Sequence, residues 1–457
     1  MDLRARVATT SSRITGSLLR RLKRGGTNLP GRIAKRIDPQ ILTKLSESIH
    51  IIIVTGTNGK TTTTKMIAEI LSNAGINFFT NKSGANIQSG IIATFAENLG
   101  ACNKHKYTHA LIECDEAAFR QISTLIKVDY IVVTNIFRDQ LDRYGEVANT
   151  LDAIKTAIKN QPNATLCLNA DCSLTASIVT SKRKKPILWF GTSGPLYKKT
   201  AQELSDATYC IRCGHPYEYN YHTFAHLGDF YCKNCGYKRE EPNIKLTKIL
   251  EADLASSVIA VQAATNFSFK LHIPGAYNIY NALAAITLAN AMKIPDDTIK
   301  AALEQTTASF GRTENIIIKN TPLKLLLVKN PTGFNQAINL IINKPKTSQV
   351  VFALNDRIAD GTDISWIWDV DFETLAHEMN KNFHKIFLTG IRSAELAMRL
   401  EYAGFDMKKV FIMNDYDQLL NTITESELET FVFQTYTAMF EIRRKIAERV
   451  ITKEFYD

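Results

Sequence analysis

Residues 55–64, Thr-Gly-Thr-Asn-Gly-Lys-Thr-Thr-Thr-Thr, combine glycines, a lysine and hydroxyl side chains in an order that suits phosphate binding. The apolar run 51–54 precedes them, and Ile67, Ile70 and Leu71 follow at helical spacing. In such a strand–turn–helix unit, backbone N–H groups and the helix N-terminus hold a polyanion, the lysine reaches the outer phosphates and a hydroxyl binds Mg²⁺. A glycine-rich turn with a solvated lysine is the alternative. We call residues 55–64 the phosphate loop; its predicted ligand-binding residues are Gly56, Thr57, Asn58, Gly59, Lys60, Thr61 and Thr62.

Four short apolar runs after the phosphate loop have the length of buried strands, and helical or loop segments separate them. They lie at residues 110–112, 130–133, 165–168 and 187–190. This alternation predicts an α/β fold, a parallel sheet covered by helices on both faces. Ligands bind such sheets at the carboxyl ends of strands. The phosphate loop, Glu113 and residues 134–135 each follow a strand and are therefore expected to lie together.

Four of the eight cysteines form a second chemical signature, two Cys-x₂-Cys-Gly knuckles separated by 18 residues. These cysteines are Cys210, Cys213, Cys232 and Cys235. The spacing is typical of a structural Zn²⁺ site, because four thiolates leave no open position for catalysis. We predict a zinc ribbon at residues 205–242, with disulfides as the alternative. The remaining cysteines are expected to be buried thiols; they are Cys102, Cys114, Cys167 and Cys172.

The chain of 457 residues has a net charge of +10, and nearly all of this charge falls within residues 1–36. Leu3, Val7, Ile14 and Leu18 recur there at helical spacing, which predicts a basic amphipathic helix able to lie on an anionic membrane surface or to bind a polyanion. A helix packed on the next domain through its leucine face is the alternative. No apolar run approaches the ~18 residues of a membrane-spanning helix. We therefore expect a cytoplasmic protein, peripheral at the inner face of the membrane.

Several motifs resemble the Mur ligases and folylpolyglutamate synthetases, enzymes that form amide bonds through acyl phosphates. The Gly-Thr-Asn-Gly-Lys-Thr sequence at residues 56–61 is similar to the ATP loop of that family. The other matching segments are residues 135–145, 168–171, 273–285 and 310–314. Two positions depart from the family pattern, because Gln140 and Tyr277 stand where the family has histidine.

The resemblance implies ATP and Mg²⁺ as cofactors and gives roles to individual residues. Lys60 and Arg312 would neutralise charge on the transferring phosphoryl group as catalytic residues, although Arg312 also suits a salt bridge at a domain junction. Asn278 and Asn281 fall at i and i+3 of one expected helix, so both can reach one ligand, the adenine. Mg²⁺ prefers oxygen ligands together with phosphate. Its implied ligands are Thr61 and Glu113.

The last third of the chain resembles one branch of these ligases, the MurT family of synthetase subunits of lipid II isoglutaminyl synthase. Residues 355–369 and 389–393 carry this similarity, and the cysteine ribbon and Gln140 also fit it. The resemblance implies ATP-dependent amidation of the D-glutamate α-carboxylate in the lipid II stem peptide, which yields D-isoglutamine. It also implies that a GatD-like glutaminase subunit, bound as a heterodimer partner, provides the ammonia.

These observations divide the chain into three parts. Residues 1–45 form the basic N-terminal segment. Residues 46–318 are expected to form a Mur-ligase-like ATPase domain around a central parallel sheet, with the Cys₄ zinc ribbon inserted. Residues 319–457 are expected to form a Rossmann-like α/β C-terminal domain that docks the glutaminase. Its expected strands are residues 325–328, 350–354, 385–388 and 410–413.

Asp356 follows an expected strand at the carboxyl end, where sites of α/β domains form. A Cys–His glutaminase works best when a third polar group orients its imidazole. We predict that Asp356 provides this group to the partner subunit, with Asp360 and Asp363 as alternatives in the same loop. A cap of the following turn is the other possible role of Asp356.

Two other functions compete with this interpretation. A stand-alone amino-acid ligase of the Mur or folylpolyglutamate type would need no glutaminase, and the unusual C-terminal domain argues against it. A zinc-containing nucleic-acid-binding ATPase would use the basic N-terminal segment in a salt-sensitive manner. The nearly neutral charge of the rest of the chain argues against that function, and we expect no nucleic-acid partner.

Overall fold

The computed structural model describes residues 2–21, 28–81, 85–99, 106–138, 147–179, 185–196, 206–252, 256–273, 275–307, 312–342 and 348–450. The elements up to residue 305 are α1 (Leu3–Arg21), α2 (Asn28–Ile37), α3 (Ile41–Ser46), β1 (His50–Thr55), α4 (Lys60–Asn73), β2 (Phe78–Thr80), α5 (Gln88–Asn98), β3 (His109–Glu113), α6 (Glu116–Ile122), β4 (Tyr130–Val133), α7 (Val147–Lys159), β5 (Thr165–Asn169), α8 (Ser173–Ala176), β6 (Ile187–Thr192), β7 (Glu218–Phe224), β8 (Leu227–Tyr231), β9 (Ile244–Ala252), β10 (Ser257–Gln262), β11 (Asn266–Leu271), α9 (Ala276–Ala291) and α10 (Asp296–Gln305).

The remaining elements are β12 (Arg312–Ile318), β13 (Thr321–Leu327), α11 (Pro331–Ile342), β14 (Ser348–Ala353), α12 (Phe372–Asn382), β15 (Phe383–Thr389), α13 (Ser393–Tyr402), β16 (Val410–Ile412), α14 (Tyr416–Glu425), β17 (Thr430–Gln434) and α15 (Tyr436–Ala447). Two short 3₁₀ helices lie at Ser365–Asp369 and Met407–Lys409. No helix among the described residues combines the length and the apolar character that crossing a bilayer requires.

The central domain is built on a nine-stranded sheet in the order β11-β10-β9-β6-β5-β4-β1-β3-β2. Strands β2, β3, β1, β4, β5 and β6 pair in parallel, which confirms the predicted parallel sheet. All four residues of the run 51–54 are fully buried, as expected for a strand covered on both faces. The sheet continues through β9, which is parallel to β6, into the antiparallel pairs β9–β10 and β10–β11, which the sequence analysis did not predict.

The N-terminal helix α1 packs on α2 and α5 through small side chains. The buried positions of α1 are Ala5, Ala8, Thr9 and Ser12. Its apolar stripe is exposed instead, with Leu3 79% and Leu18 56% accessible. The alternative in which this helix packs through its leucine face is therefore wrong.

The C-terminal domain has a six-stranded sheet in the order β12-β13-β17-β14-β15-β16. Only β12 and β13 pair antiparallel, and the other pairs are parallel. Apolar clusters cover both faces, one against α11, α12 and α13 and the other against α14 and α15. Strand β12 pairs with β13 and so forms the edge of the C-terminal sheet.

Candidate active site and cysteine cluster

The phosphate loop joins β1 to α4 in a conformation that requires its glycines. Gly59 has φ +85°, a left-handed backbone that side chains disfavour. A Cβ atom on Gly59 would lie 2.0 Å from the Asn281 side-chain oxygen, so the loop and α9 can meet this closely only at glycine. Lys60 begins α4, which directs the N–H groups of the first helical turn toward the loop.

Side chains at the carboxyl end of β4 bind the phosphate loop through hydrogen bonds. The Asn135 side chain accepts a hydrogen bond from the Asn58 backbone N–H at 3.0 Å and donates to the Asn58 carbonyl at 3.1 Å. The Thr134 hydroxyl donates to the same carbonyl at 2.7 Å. The strand register places Glu113 beside Val54, at the start of the loop, with 7% of its surface exposed. The three groups expected at strand ends therefore lie together.

Lys60 is held by a carboxylate that the sequence analysis missed. The Lys60 ammonium donates to Glu116 Oε1 at 2.9 Å and to the Gly56 carbonyl at 2.6 Å. Glu116 lies in the first turn of α6 and is buried. Burial raises the pKa of Glu116, and the charge of Lys60 opposes that rise. The lysine is thus oriented over the loop by a buried ion pair.

Helix α9 brings the two predicted asparagines against the phosphate loop. Asn278 and Asn281 are both buried, and the Asn281 side-chain NH₂ donates to Asn278 Oδ1 at 3.1 Å. The Thr63 hydroxyl donates to Asn281 Oδ1 at 3.2 Å. Arg312 begins β12, but its side chain lies outside the described residues, as do Gln140 and the rest of residues 139–146.

A pocket adjoins the phosphate loop where the central and C-terminal domains meet. Its polar lining includes Asn58, Asn278 and Lys329, and its apolar lining includes Phe137 and Phe224. The Asn330 side chain also lines it and donates to Asn58 Oδ1 at 3.1 Å, across the domain boundary. The Asn58 side-chain NH₂ is buried and has no hydrogen-bond partner within the described protein. A bound ligand with an acceptor atom would satisfy this donor.

The four ribbon cysteines converge, with all sulfur atoms within 4.8 Å of one another. Cys213 Sγ lies 3.5 Å from Cys232 Sγ, and Cys210 Sγ lies 3.6 Å from Cys235 Sγ. These distances exceed a disulfide bond of ~2.05 Å and suit thiolates around one metal ion. Both knuckle glycines, Gly214 and Gly236, have positive φ and donate back to the first cysteine carbonyl of their knuckle.

The other described cysteines are buried, as expected: Cys114, Cys167 and Cys172. Cys102 lies outside the described residues.

The loop after β14 separates the three candidate aspartates. Asp356 is partly exposed, and its Oδ2 accepts from Nε and Nη2 of Arg392 at 2.7 and 2.6 Å. Asp360 is buried and accepts from the Thr437 backbone N–H at 2.7 Å, and burial raises its pKa. Asp363 accepts from the Ser365 backbone N–H. Turn stabilisation therefore falls to Asp360 and Asp363, whereas Asp356 forms a surface ion pair.

This fold and loop are those of the Mur ligases. The family model of the Mur ligase middle domain matches residues 54–289. A pseudomurein peptide ligase type C from Methanothermus fervidus superposes with a TM-score of 0.68 at 22% identity, covering 90% of this chain and 80% of that one. MurF from Acinetobacter baumannii gives a TM-score of 0.65 at 16% identity, covering 90% of this chain and 80% of that one.

Similarity that extends over nearly the whole chain identifies the branch of the Mur ligases to which the protein belongs. The model of the MurT ligase C-terminal region matches residues 327–439. The MurT subunit of lipid II isoglutaminyl synthase (glutamine-hydrolyzing) from Streptococcus pneumoniae is 36% identical over 99% of both chains. Its counterpart from Staphylococcus aureus strain COL is 30% identical, over 95% of this chain and 94% of that one. The chain belongs to the MurT family, and it is an ATP-dependent ligase.

Proposed function

We propose that the protein amidates the D-glutamate α-carboxylate of the lipid II stem peptide, with ATP and with ammonia released by a GatD-like glutaminase. The family relationship over the whole chain supports this substrate. The observation that carries the ATP-dependent step is the pocket beside the phosphate loop, into which the central and C-terminal domains both contribute polar side chains.

The residues present fit ATP with Mg²⁺. Helix α4 begins at Lys60 and directs the N–H groups of its first turn toward the loop, where phosphate oxygens would accept from them, and the buried Asn58 side-chain NH₂ offers an unused donor. Asn278 and Asn281 would bind the adenine. The Thr61 hydroxyl and the Glu113 carboxylate would hold Mg²⁺, which would supply positive charge to neutralise the phosphates of ATP.

In the proposed reaction, a carboxylate oxygen of D-glutamate attacks the γ-phosphorus of ATP, and ADP leaves with an acyl phosphate formed. Ammonia then attacks the acyl carbon, phosphate leaves with the bonding electrons, and a proton is lost to give the carboxamide. Lys60 and Arg312 stabilise the charge on the transferring phosphoryl group. Glu116 keeps the Lys60 ammonium oriented over the loop before the substrate arrives.

The matched test uses two lysines of α4. Lys60→Ala removes the ammonium that reaches phosphate, whereas Lys65→Ala removes one that bonds the Thr307 carbonyl. With lipid II, ATP and ammonium chloride, we expect Lys60→Ala to retain less than a few per cent of wild-type amidation and Lys65→Ala to remain active. Normal turnover by Lys60→Ala would remove the phosphate-loop assignment. Incorporation of a free amino acid in place of ammonia would favour the stand-alone ligase.

The cysteine cluster is proposed to hold one structural Zn²⁺, since four convergent thiolates complete a tetrahedral site.

The loop after β14 is proposed to dock the glutaminase. Ile358 lies two residues after Asp356 and Ile391 directly before Arg392, and these isoleucines are 82% and 54% exposed. Exposed apolar side chains grouped on a protein surface mark interaction sites. Asp356 would accept a hydrogen bond from the histidine of the partner's Cys–His pair and so orient it, either while still paired with Arg392 or after that ion pair breaks.

The test of this role separates glutamine hydrolysis from amidation in the assembled heterodimer. Asp356→Asn keeps the shape and removes the charge. We expect hydrolysis to fall by orders of magnitude while amidation driven by added ammonium survives. Asp363→Asn, in the same loop, is the matched control and should leave both rates near wild type. If Asp356→Asn leaves hydrolysis intact, Asp356 does not orient the histidine.

Helix α1 is proposed to hold the protein at the inner face of the membrane, close to its lipid-linked substrate. The exposed stripe of Leu3, Val7, Ile14 and Leu18 lies opposite the buried small-residue face, and the helix carries arginines but no acidic residue. Arginines beside an exposed apolar stripe suit an anionic bilayer surface. Ile14→Gln should reduce sedimentation with phosphatidylglycerol vesicles. Unchanged sedimentation would exclude this surface as the contact.

A further inference from the structure

The cysteine ribbon contains a β-hairpin that runs from the cysteine cluster to the pocket beside the phosphate loop. Strand β8 ends at Tyr231, directly before Cys232, and β7 begins shortly after the first knuckle. Only Ala225 and His226 separate the two strands at the other end. We call residues 223–228 the ribbon turn. The cysteine cluster and the ribbon turn therefore lie at opposite ends of one antiparallel pair.

The ribbon turn is embedded in the central domain rather than exposed. Phe224 is 5% accessible and lines the pocket beside the phosphate loop. Its ring lies parallel to that of Phe137, with centroids 6.1 Å apart, and packs edge-on against Tyr280 at 5.7 Å. Leu227 is fully buried in the main core of the central domain. The turn thus contributes an aromatic side chain to the pocket.

Hydrogen bonds fasten the ribbon turn to the helix that carries the predicted adenine ligands. The hydroxyl groups of Thr223 and Tyr280 are 2.9 Å apart, and Tyr280 directly precedes Asn281 on α9. The Tyr280 hydroxyl donates to the buried Asp171 carboxylate at 2.5 Å. The backbone N–H of Gly228 donates to the Asp171 carbonyl at 3.0 Å. A displacement of the turn would therefore disturb α9 as well as Phe224.

We propose that the ribbon turn forms one wall of the nucleotide site, with Phe224 packing on the bound nucleotide, and that the metal-bound cysteine cluster holds this wall in position. The inference rests on the proposed use of ATP. Phe224 is the only aromatic residue of this wall that comes from the ribbon among the described lining residues. An aromatic face suits a purine, because every base has a π-face on which an aromatic side chain can stack.

The first experiment measures ADP affinity by calorimetry, with Mg²⁺ present, and zinc content by elemental analysis. Phe224→Ala should weaken ADP binding by about tenfold and keep the wild-type zinc content. A tenfold change in the dissociation constant corresponds to about 1.4 kcal/mol of binding free energy. Tyr209→Ala is the control, because Tyr209 is an exposed ribbon aromatic outside the pocket lining. A Phe224→Ala protein that binds ADP within twofold of wild type would overturn the proposal. Failure of the wild-type protein to bind ADP would instead overturn the proposed function.

The second experiment tests the part played by the metal. A chelator selective for zinc over magnesium removes the ion from wild-type protein, and hydrogen exchange reports on the ribbon turn and α9. We expect weaker ADP binding, faster exchange in both segments, and recovery of both when zinc is added back. Unchanged ADP affinity in zinc-free protein would refute the coupling. If zinc removal unfolds the whole protein, as seen by circular dichroism, the coupling is also refuted, because the loss of ADP binding would then not be specific to the ribbon turn.

Discussion

Replacing Arg239 with methionine tests how strongly the ribbon is joined to the central domain. Arg239 follows the second knuckle, and its guanidinium donates to Asp171 Oδ1 at 2.6 Å and to the Thr192 carbonyl at 2.6 Å. Its side chain is 8% exposed and that of Asp171 is fully buried. Methionine keeps most of the apolar contact and removes the charge, so Asp171 loses its only ion-pair partner among the described residues.

The expected cost is large, because a buried charge left without its partner destabilises a protein by about 3–5 kcal/mol. Three groups would still donate to Asp171: the Tyr280 hydroxyl, the Thr192 backbone N–H and the Thr192 hydroxyl. Because these donors remain, we expect the loss of folding stability to be near the lower end of that range, about 3 kcal/mol. For a domain of this size, about 3 kcal/mol corresponds to a melting temperature lower by roughly 6–12 °C.

The variant should also acquire a distinctive pH dependence. Burial raises the pKa of Asp171 in the wild-type protein, and the charge of Arg239 opposes this rise. Without Arg239 the folded-state pKa moves further above the unfolded value of about 4. A carboxyl whose folded pKa is raised stabilises the fold when protonated, and this contribution is lost as pH rises. The difference in melting temperature between variant and wild type should therefore grow from pH 5 to pH 8.

Scanning calorimetry at several pH values measures both effects, with Arg212→Met as the control. Arg212 is an exposed ribbon arginine over the Tyr237 ring, and exposed contacts of this kind contribute about 0.5–1 kcal/mol. Asp171→Asn combined with Arg239→Met should restore part of the stability, because no buried charge remains. The reasoning fails if Arg239→Met melts within 2 °C of Arg212→Met, or if the double variant is no more stable than Arg239→Met alone.

Two further predictions concern the loop and the cluster. Gly59→Ala should lower ADP affinity at least tenfold without unfolding the protein, since its Cβ would collide with Asn281 in a backbone disfavoured for alanine; calorimetric binding within twofold of wild type would contradict this. Cys213→Ser should lose bound zinc and melt at a lower temperature, as measured by elemental analysis and calorimetry, and absence of zinc from wild-type protein would remove the metal site itself.

The sequence predicted those features that depend on local pattern. The strands β1, β3, β4, β5 and β6 were recognisable because each carries a short apolar run bounded by small or polar residues. Strand β17 was missed although Phe431, Val432 and Phe433 give the same signal. The exposed leucines of α1 were predicted as a stripe, but periodicity does not reveal which face of a helix packs, and here the small residues pack.

Glu116 was missed for a different reason. Glu116 lies three residues after Glu113, in the first turn of a helix, where acidic residues are common for purely structural reasons. Its function depends on Lys60, which is distant in sequence and becomes its neighbour only when β1 and β3 pair. No local sequence pattern indicates that Glu116 contacts Lys60.

The pocket beside the phosphate loop extends this argument, because its walls come from three separate parts of the chain. Asn58 belongs to the phosphate loop, Phe224 to the ribbon turn and Asn330 to the C-terminal domain. Arg138, which follows β4 in the central domain, links that domain to two other parts of the chain. Its backbone N–H donates to Asp206 at the start of the described ribbon, and its guanidinium donates to Asp369 of the C-terminal domain. Each motif read alone indicates a loop, a metal knuckle or a strand end. Only their packing makes the ribbon a component of the ligand site, and for that reason damage to the ribbon should appear in nucleotide affinity as well as in stability.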